Sequence, residues 1–217
     1  MRSFPSAIAT VAVVAFAAFA GPATASPPTG AGVLHSPHGF YHGHSPGYWL
    51  AQWWSGALSA PADESNPVIA GGCVLVGKVA IHYGGDCSVP PGTAIFEMLF
   101  STECSNREPE PFHAENAAEA EACGRANSGV ATTLDLRVDG GPWLHLLDED
   151  FAAVIPWTTV ALPENNIFGL PGGGLVSFGG YGYGALIKPL RVGQHTIDLH
   201  FEGEGATPDS HSVITVG

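Results

Sequence analysis

The stretch Tyr181–Gly203 constrains the fold most strongly, because its second half alternates between two kinds of side chain. One parity is mostly apolar and the other polar: His195, Ile197, Leu199 and Phe201 against Thr196, Asp198, His200 and Glu202. Successive side chains of a strand point to opposite faces, so the pattern predicts a half-buried antiparallel strand. We expect the apolar side chains in the core, with His195 partly buried and hydrogen-bonded. Tyr183–Lys188, followed by a turn at Pro189 and Gly193, predicts the hairpin partner.

Short strands separated by turn residues continue along the chain, in which Gly (29) and Pro (18) are abundant and only 12% of residues are charged. The predicted fold class is therefore mainly β: an antiparallel β-sandwich, jelly-roll-like or Ig-like, with about nine strands and two short helices. One helix is predicted to begin at Ser45-Pro46, and the other to run from about His113 to a stop at Gly124. The glycine-rich stretch 172–184 predicts a flexible loop or a bulged lead into the hairpin.

The nearly continuous apolar run Thr93–Ser101 predicts a buried central strand that contains one carboxylate, Glu97. A buried carboxylate needs a partner or a raised pKa. We expect Glu97 to face outward at a sheet edge instead.

The first residues predict a secretory signal peptide over residues 1–25. Arg2 precedes the apolar run Ala7–Ala20, and a small-residue cleavage site follows at Ala23–Ala25. The run is shorter than the roughly 20 residues of a membrane span, and no later stretch predicts one. We therefore expect a secreted, extracellular protein without a membrane span in its mature form.

Cleavage would leave 192 residues beginning at Ser26, enough for one domain with a sizeable core. Residues 26–47 predict a His/Pro/Gly-rich flexible lead-in, and residues 48–217 a single β-sandwich domain. The net charge of −13 would become −14, because Arg2 is the only charged residue removed. An acidic surface argues against nucleic acid and anionic membranes as partners and favours cationic or neutral ligands.

Four cysteines in an oxidising compartment predict two disulfides, for which three connectivities exist. We favour Cys73–Cys87 and Cys104–Cys123, because each closes a short local loop and would stabilise the fold by roughly 3 kcal/mol. The alternative, a four-cysteine zinc site, lacks paired C-x-x-C knuckles.

Two groups of side chains are candidates for binding. The first is aromatic, and the second is the polar row on the outer face of the main strand. The aromatic group comprises Trp49, Trp53, Trp143, Trp157, Tyr181 and Tyr183. The polar row comprises Asp198, His200 and Glu202. For Trp49 and Trp53, core packing of a helix is the favoured interpretation. For the polar row, the alternative to a binding or acid–base site is a solvated sheet face.

A third candidate is a cluster of four histidines in the lead-in, which could ligate zinc, copper or nickel: His35, His38, His42 and His44. A solvated, low-complexity segment is the competing interpretation, and no cofactor is predicted. Gly72–Lys78 matches the letters of a phosphate-binding loop, but Val79 replaces its Ser/Thr and no helix is predicted to follow. The letters G-x-S-x-G occur once, at 43–47, but they lie in the irregular lead-in and not after a predicted strand, so they do not predict a nucleophile elbow; the sequence contains no H-E-x-x-H.

Several short motifs, spread over most of the mature chain, resemble a family of uncharacterised secreted bacterial proteins. They are W-x3-WW, C-x13-C-x-V-P-x-G, E-C, VDG, P-x-N-N and PL-x2-G-x-H-x-I, which here are Trp49, Trp53, Trp54, Cys73, Cys87, Val89, Pro90, Gly92, Glu103, Cys104, Val138 to Gly140, Pro163, Asn165, Asn166, Pro189, Leu190, Gly193, His195 and Ile197. The chain departs from the family pattern at Ile81–Tyr83. The resemblance implies export and one β-rich domain, and it assigns no catalytic residue because the family has no assigned activity.

Two classes of function follow from the sequence. The favoured one is a non-catalytic extracellular module that binds a glycan, a peptide or a surface partner through loops and exposed aromatics. The alternative is a secreted hydrolase with an unrecognised site, which would require Asp198, His200 and Glu202 to converge with Glu97 in a cleft.

Overall fold

The computed structural model describes residues 30–203 and 209–217. Within these ranges the chain forms ten strands and three α-helices. The strands are β1 (Cys73–Val76), β2 (Val79–His82), β3 (Cys87–Val89), β4 (Ala94–Ser105), β5 (Ala131–Val138), β6 (Leu144–His145), β7 (Ala152–Leu162), β8 (Gly174–Ile187), β9 (Gly193–Gly203) and β10 (Asp209–Val216). The helices are α1 (Pro46–Ser59), α2 (Pro67–Ala70) and α3 (Ala117–Ser128). The predicted signal peptide and the predicted start at Ser26 lie outside the described residues.

The strands form two five-stranded sheets, which confirms the mainly β sandwich. The first sheet has the order β1-β2-β4-β8-β7, and the second has the order β3-β10-β9-β5-β6. Most neighbouring strands are antiparallel, while β2–β4 and β3–β10 are parallel pairs. The core between the sheets contains Ala80, Ile95, Ala185 and Ile187 from the first and Leu136, Val138, Ile197, Ile214 and Val216 from the second.

Helix α1 covers the opposite face of the first sheet and begins where the sequence predicts. The Ser45 side chain accepts a hydrogen bond from the Tyr48 N–H, and Pro46 occupies the first turn. The apolar side of α1, including Trp49, Leu50 and Trp53, packs against Ile81 and Phe96 of the sheet. The first sheet is therefore buried on both faces, which explains why β2 is buried at every position.

Both predicted disulfides are confirmed. Cys73–Cys87 joins β1 at the edge of the first sheet to β3 at the edge of the second, so it closes one side of the sandwich. Cys104–Cys123 fixes α3 to β4. With all four cysteines paired, the alternative of a zinc site is wrong.

The predicted hairpin is wrong, because its two strands lie in opposite sheets. β8 pairs with β4 and β7, whereas β9 pairs with β5 and β10. Alternation specifies which side chains of a strand are buried, but it does not specify the neighbouring strand. Ile197 is buried as predicted, while Leu199 and Phe201 are only half-buried. His195 is buried and bonded at both ring nitrogens, to the Asp139 carboxylate (2.7 Å) and the Arg191 carbonyl (2.8 Å).

The glycine-rich stretch is not a loop, since residues 174–187 form β8. Gly182 and Gly184 lie where residues of β4 occupy the space of a side chain. A Cβ on Gly182 would overlap the Ser101 Cβ, and one on Gly184 would lie 2.6 Å from the Phe96 ring. Gly124 likewise does not stop α3. It lies inside that helix, and its missing Cβ lets α3 approach the Tyr181 backbone on β8.

The lead-in contacts the sandwich from Val33 onward. Leu34 forms an antiparallel bridge with Ile187, and the His35 N–H donates to the Leu186 carbonyl (2.8 Å). Val33 and Leu34 are buried. The predicted mobility of the lead-in stays a prediction. Within the ranges that the structure describes, no helix combines the length and apolarity needed to cross a membrane.

Candidate functional site

The candidate site lies along the outer edge of β4. β2 pairs with this edge only over Ala94–Glu97, while β8 pairs with the other edge as far as Ser105. Ser105 then exchanges hydrogen bonds with the segment 112–114. Between these two contacts, over residues 98–104, no strand of the described ranges pairs with the outer edge of β4. This part of the strand therefore has a free edge, which we call the β4 edge.

A groove of about 550 Å³ follows the β4 edge. Four aromatic rings and two carboxyl groups contribute to its lining, which comprises Trp54, Phe100, Ser101, Thr102, Glu103, Glu108, Phe112, Asn127, Val130 and Phe168. Its volume falls within the 300–1,000 Å³ that is usual for ligand sites. We call it the β4 groove.

Two of the four aromatic residues of the β4 groove, Trp54 and Phe168, are positioned by hydrogen bonds. Trp54 on α1 donates its Nε1–H to the Ser101 hydroxyl (2.9 Å). The Phe168 ring lies 6.2 Å from the Trp54 ring, on a loop that Asn166 organises. The buried Asn166 side chain donates to the Pro163 and Leu170 carbonyls and accepts from the Phe168 and Leu170 N–H groups. These walls are therefore held in place before any ligand binds.

Glu103 is the unusual group of the groove, since it is 4% exposed and no hydrogen-bond donor among the described residues reaches its Oε1. Burial raises the pKa of its carboxyl well above the usual range, and the neighbouring Glu108 carboxylate raises this pKa further. Burial also raises the pKa of Glu108, although a hydrogen bond from the Ser105 hydroxyl (2.9 Å) opposes the rise.

The two carboxyls form one coupled acid pair. A protonated Glu103 can donate to the Glu108 carboxylate, so the pair retains a proton that isolated carboxyls would lose. Such a pair can donate and accept hydrogen bonds, and it can become a double negative charge beside a cation. Its chemistry suits a polar or cationic ligand group that enters between aromatic rings.

The polar row predicted on β9 does lie on the outer face of the second sheet, where its members are paired across the strands. Asp198 binds the Arg137 Nε–H (2.9 Å) and His211 (2.6 Å). Burial raises the pKa of Asp198, but these hydrogen bonds outweigh it and hold the pKa below the usual value. His200 binds Asp209 (2.6 Å), which raises the pKa of the imidazole. Glu202 accepts from the Thr133 hydroxyl (2.7 Å).

Glu97 does not face outward, and it does not meet the β9 row. Glu97 is buried, and its Oε2 lies 2.7 Å from Nδ1 of His82, the residue that pairs with it on the neighbouring strand β2. The Nε2 of His82 binds the Gly85 carbonyl at 2.8 Å. The expectation of an exposed Glu97 is wrong because the neighbouring strand supplies a cationic partner. The cleft that the hydrolase alternative required does not form from these four residues.

The aromatic candidates are dispersed. Trp49 and Trp53 lie on α1 and are buried against the first sheet, in agreement with the core interpretation. Tyr181 is buried beneath the Arg125 guanidinium and donates its hydroxyl to Glu149 (2.7 Å). The half-buried Trp157 packs beside the Cys104–Cys123 disulfide, and the half-buried Tyr183 lies edge-on to Tyr181. Trp143, 38% exposed, lies under Arg137 on the outer face of the second sheet.

The histidines of the lead-in do not converge. His38 binds Asp150 (2.9 Å), His44 stacks on Tyr48, and His35 lies beside Tyr41. In the described part of the chain, no group of three or more His, Cys, Asp or Glu side chains could hold a metal ion. The structure does not bring His35, His38, His42 and His44 together, and metal binding by this segment stays a prediction.

A second cavity lies beneath the lead-in. It measures about 180 Å³ and is lined by His35, Phe40 and Trp49 among others. Within the described residues, His35 Nε2 and Trp49 Nε1 have no hydrogen-bond partner. This cavity is smaller than usual ligand sites, whereas the β4 groove is within their range.

Sequence reasoning missed the β4 groove because its residues come from four distant segments. Trp54, Glu103 and Glu108 belong to none of the candidate sites predicted from the sequence. One local signal was present: Glu103 lies two residues after Ser101 in an extended stretch, so both share the face that α1 covers.

No protein-family model and no curated protein matches the chain. Two solved structures show a weak likeness. The solution structure of amebosin is 8% identical, with a TM-score of 0.24, over 64% of this chain and 96% of that chain. The crystal structure of the cysteine protease inhibitor EhICP2 from Entamoeba histolytica is 12% identical, with a TM-score of 0.23, over 64% of this chain and 94% of that chain. At such TM-scores, neither likeness bears on the function of this protein.

Proposed function

We propose that this protein is a secreted, non-catalytic binding module and that the β4 groove is its ligand site. The observation that carries the proposal is Glu103, a carboxyl almost fully buried at an aromatic-lined groove with an oxygen that no described donor reaches. An unpaired buried polar atom destabilises a fold, so its presence is explained if a ligand supplies the missing partner.

The compartment rests on separate evidence. The two disulfides fit an exported protein, because such bonds persist in oxidising environments. The predicted signal peptide supports secretion. A rigid sandwich held by disulfides, with a preformed groove on one side, suits recognition outside the cell.

One observation supports the hydrolase alternative: the pair of interacting carboxyls, Glu103 and Glu108. Carboxyls that share a proton can activate water, one as acid and the other as base. In glycoside hydrolases, however, the two carboxyls stand at least about 5 Å apart so that a sugar or water fits between them. Glu103 and Glu108 interact directly, and no histidine lines the groove. Binding is therefore the better-supported function.

The test is a binding panel of cell-surface polysaccharides and unstructured peptides, with ligand masses measured before and after incubation. The informative variant is Phe112→Ala in the groove, and its control is Trp143→Ala on the second sheet, because both rings are 38% exposed. We expect at least one panel member to bind, with about tenfold weaker binding to Phe112→Ala and no change for Trp143→Ala. Equal effects of both substitutions would contradict the groove as the site, and cleaved ligands would establish the hydrolase.

A further inference from the structure

The direction of the backbone groups on the β4 edge identifies the kind of ligand that fits it. Ser105 points its N–H and C=O outward, since they bond to the Phe112 carbonyl (3.1 Å) and the Ala114 N–H (3.0 Å). Backbone groups of a strand alternate between its two edges, so those of Glu103 and Ser101 also point outward. These four groups lie along the groove, where no described strand takes them up.

The groove has walls on both faces of the β4 edge. Trp54 stands on the α1 face, where it bonds Ser101, and Phe168 packs beside it. Phe100 stands on the other face, since its ring stacks on Phe201 of the second sheet, and Asn127 of α3 is also on the lining. Side chains of a strand added to this edge would alternate between the two walls, as the side chains of β4 itself do.

The charge of the groove also selects its ligand. Glu103 and Glu108 are the only charged side chains of its lining, and Oε1 of Glu103 has no hydrogen-bond partner among the described residues. A cation beside the pair would stabilise both carboxylates, whereas an anion would repel Glu108. The net charge of −13 attracts the same kind of partner over a longer range.

We propose that the ligand of the β4 groove is an extended polypeptide segment, which adds to the β4 edge as a further strand and places a lysine or arginine side chain at Glu103 and Glu108. This inference rests on the proposed function. The free edge spans residues 98–104, roughly 20 Å, so it accommodates about six residues of an extended chain. A polysaccharide lacks the regularly spaced N–H and C=O groups that would satisfy this edge.

The experiment uses nine-residue peptides with a central lysine flanked by Ser, Thr and Val, with binding to the mature protein measured by fluorescence anisotropy. An added strand turns the N–H groups of alternate residues toward its neighbour. We therefore compare peptides N-methylated at the odd positions with peptides N-methylated at the even positions. We expect one set to bind about tenfold more weakly and the other within about threefold of the parent peptide. Equal binding of the two sets would overturn strand addition.

The charge is tested with the central residue changed to norleucine or glutamate, and with Glu103→Gln, which keeps the shape of the side chain. We expect Glu103→Gln to weaken the lysine peptide about tenfold and leave the norleucine peptide unchanged. The control is Glu121→Gln, which changes the net charge equally but lies outside the groove lining. Equal loss for both peptides, or equal loss with both variants, would contradict the lysine contact.

The outcomes separate this inference from the proposed function. If a polysaccharide binds in a Phe112-dependent manner and no peptide does, the peptide inference is wrong and the groove remains a binding site. If no ligand depends on Phe112, both are wrong. If no peptide binds and the chain forms a concentration-dependent dimer that Phe112→Ala dissociates, a second copy of the chain occupies the edge instead and the peptide inference is wrong.

Discussion

The substitution Glu97→Gln removes one charge of the buried ion pair and preserves the shape of the side chain. His82 and Glu97 are 2% and 3% exposed, respectively. Both ring nitrogens of His82 face acceptors, the Glu97 carboxylate and the Gly85 carbonyl, so the doubly protonated imidazolium satisfies every contact. Glutamine leaves that imidazolium buried without an opposite charge.

The magnitude follows from the pKa of His82. Burial alone would lower it, but the Glu97 carboxylate and its hydrogen bond raise it from 6.5 to about 9. A folded-state pKa above the unfolded value means that protonation stabilises the fold. This stabilisation is complete below pH 6.5 and is lost as the pH rises through about 9. The difference corresponds to about 3 kcal/mol, similar to the 3–5 kcal/mol measured when a buried pair is broken.

The assay is urea unfolding with the disulfides intact, followed by tryptophan fluorescence at about pH 6 and about pH 9.5. Trp53 is a local probe because its indole N–H donates to the His82 carbonyl (3.1 Å). We expect Glu97→Gln to lower the free energy of unfolding by about 3 kcal/mol at the lower pH and by about 1 kcal/mol, the contribution of a remaining hydrogen bond, at the higher.

The matched control is Glu202→Gln, the same substitution beside His200 on the second sheet. Its side chain is 47% exposed and the oxygen–nitrogen distance is 3.5 Å. An exposed pair of this kind contributes at most about 1 kcal/mol. A loss for Glu97→Gln that is equal at both pH values would refute the reasoning, because it would show that His82 is not protonated in the folded state.

Three further predictions concern the core, the groove and the packing of β8. Ile197→Ala should lower the free energy of unfolding by about 2–5 kcal/mol and Leu199→Ala by less, because only Ile197 is fully buried; chemical denaturation that ranks them in reverse would contradict the face assignment. Glu103→Gln should unfold at a higher urea concentration than the wild type at neutral pH, and the difference should be smaller near pH 4.5. The reason is that the pKa of Glu103 is raised in the folded state, so the wild type loses stability as the pH rises. A variant that is destabilised at neutral pH would indicate a structural role for Glu103. Gly184→Ala should cost about 1–3 kcal/mol because its Cβ meets the Phe96 ring, and unchanged thermal unfolding would place that ring elsewhere.

Local patterns in the sequence predicted local structure well. The loops closed by Cys73–Cys87 and Cys104–Cys123, the helix start at Ser45 and most strands were found, because disulfide loops, caps and alternation act over a few residues. The hairpin failed for the same reason. Residues 188–192 connect β8 in the first sheet to β9 in the second. No local pattern in this connection distinguishes a crossing between sheets from a hairpin within one sheet.

The predicted loop at 172–184 and the predicted helix stop at Gly124 were wrong because glycine occurs both in flexible segments and where two elements pack closely. Gly182, Gly184 and Gly124 are glycines since another backbone or ring occupies the space of their side chains. Glycines at every second position of 180–184 share one face of a strand, and that period of two distinguishes a packing role from a loop.

The β4 groove could not be found from local patterns, because residues from distant parts of the chain meet there. Trp54 and Glu103 line it, and Asn166 holds the loop that carries Phe168 into it. From Trp54 to Asn166 these residues span more than 100 positions of the chain, and none is required to make the inter-sheet core. Burial raises the pKa of the Glu103 carboxyl, and no described donor reaches its Oε1, so the contacts within the fold do not explain a carboxyl at this position. A ligand that supplies the missing partner to Glu103, while the same strand offers it a free edge, accounts for both features at once.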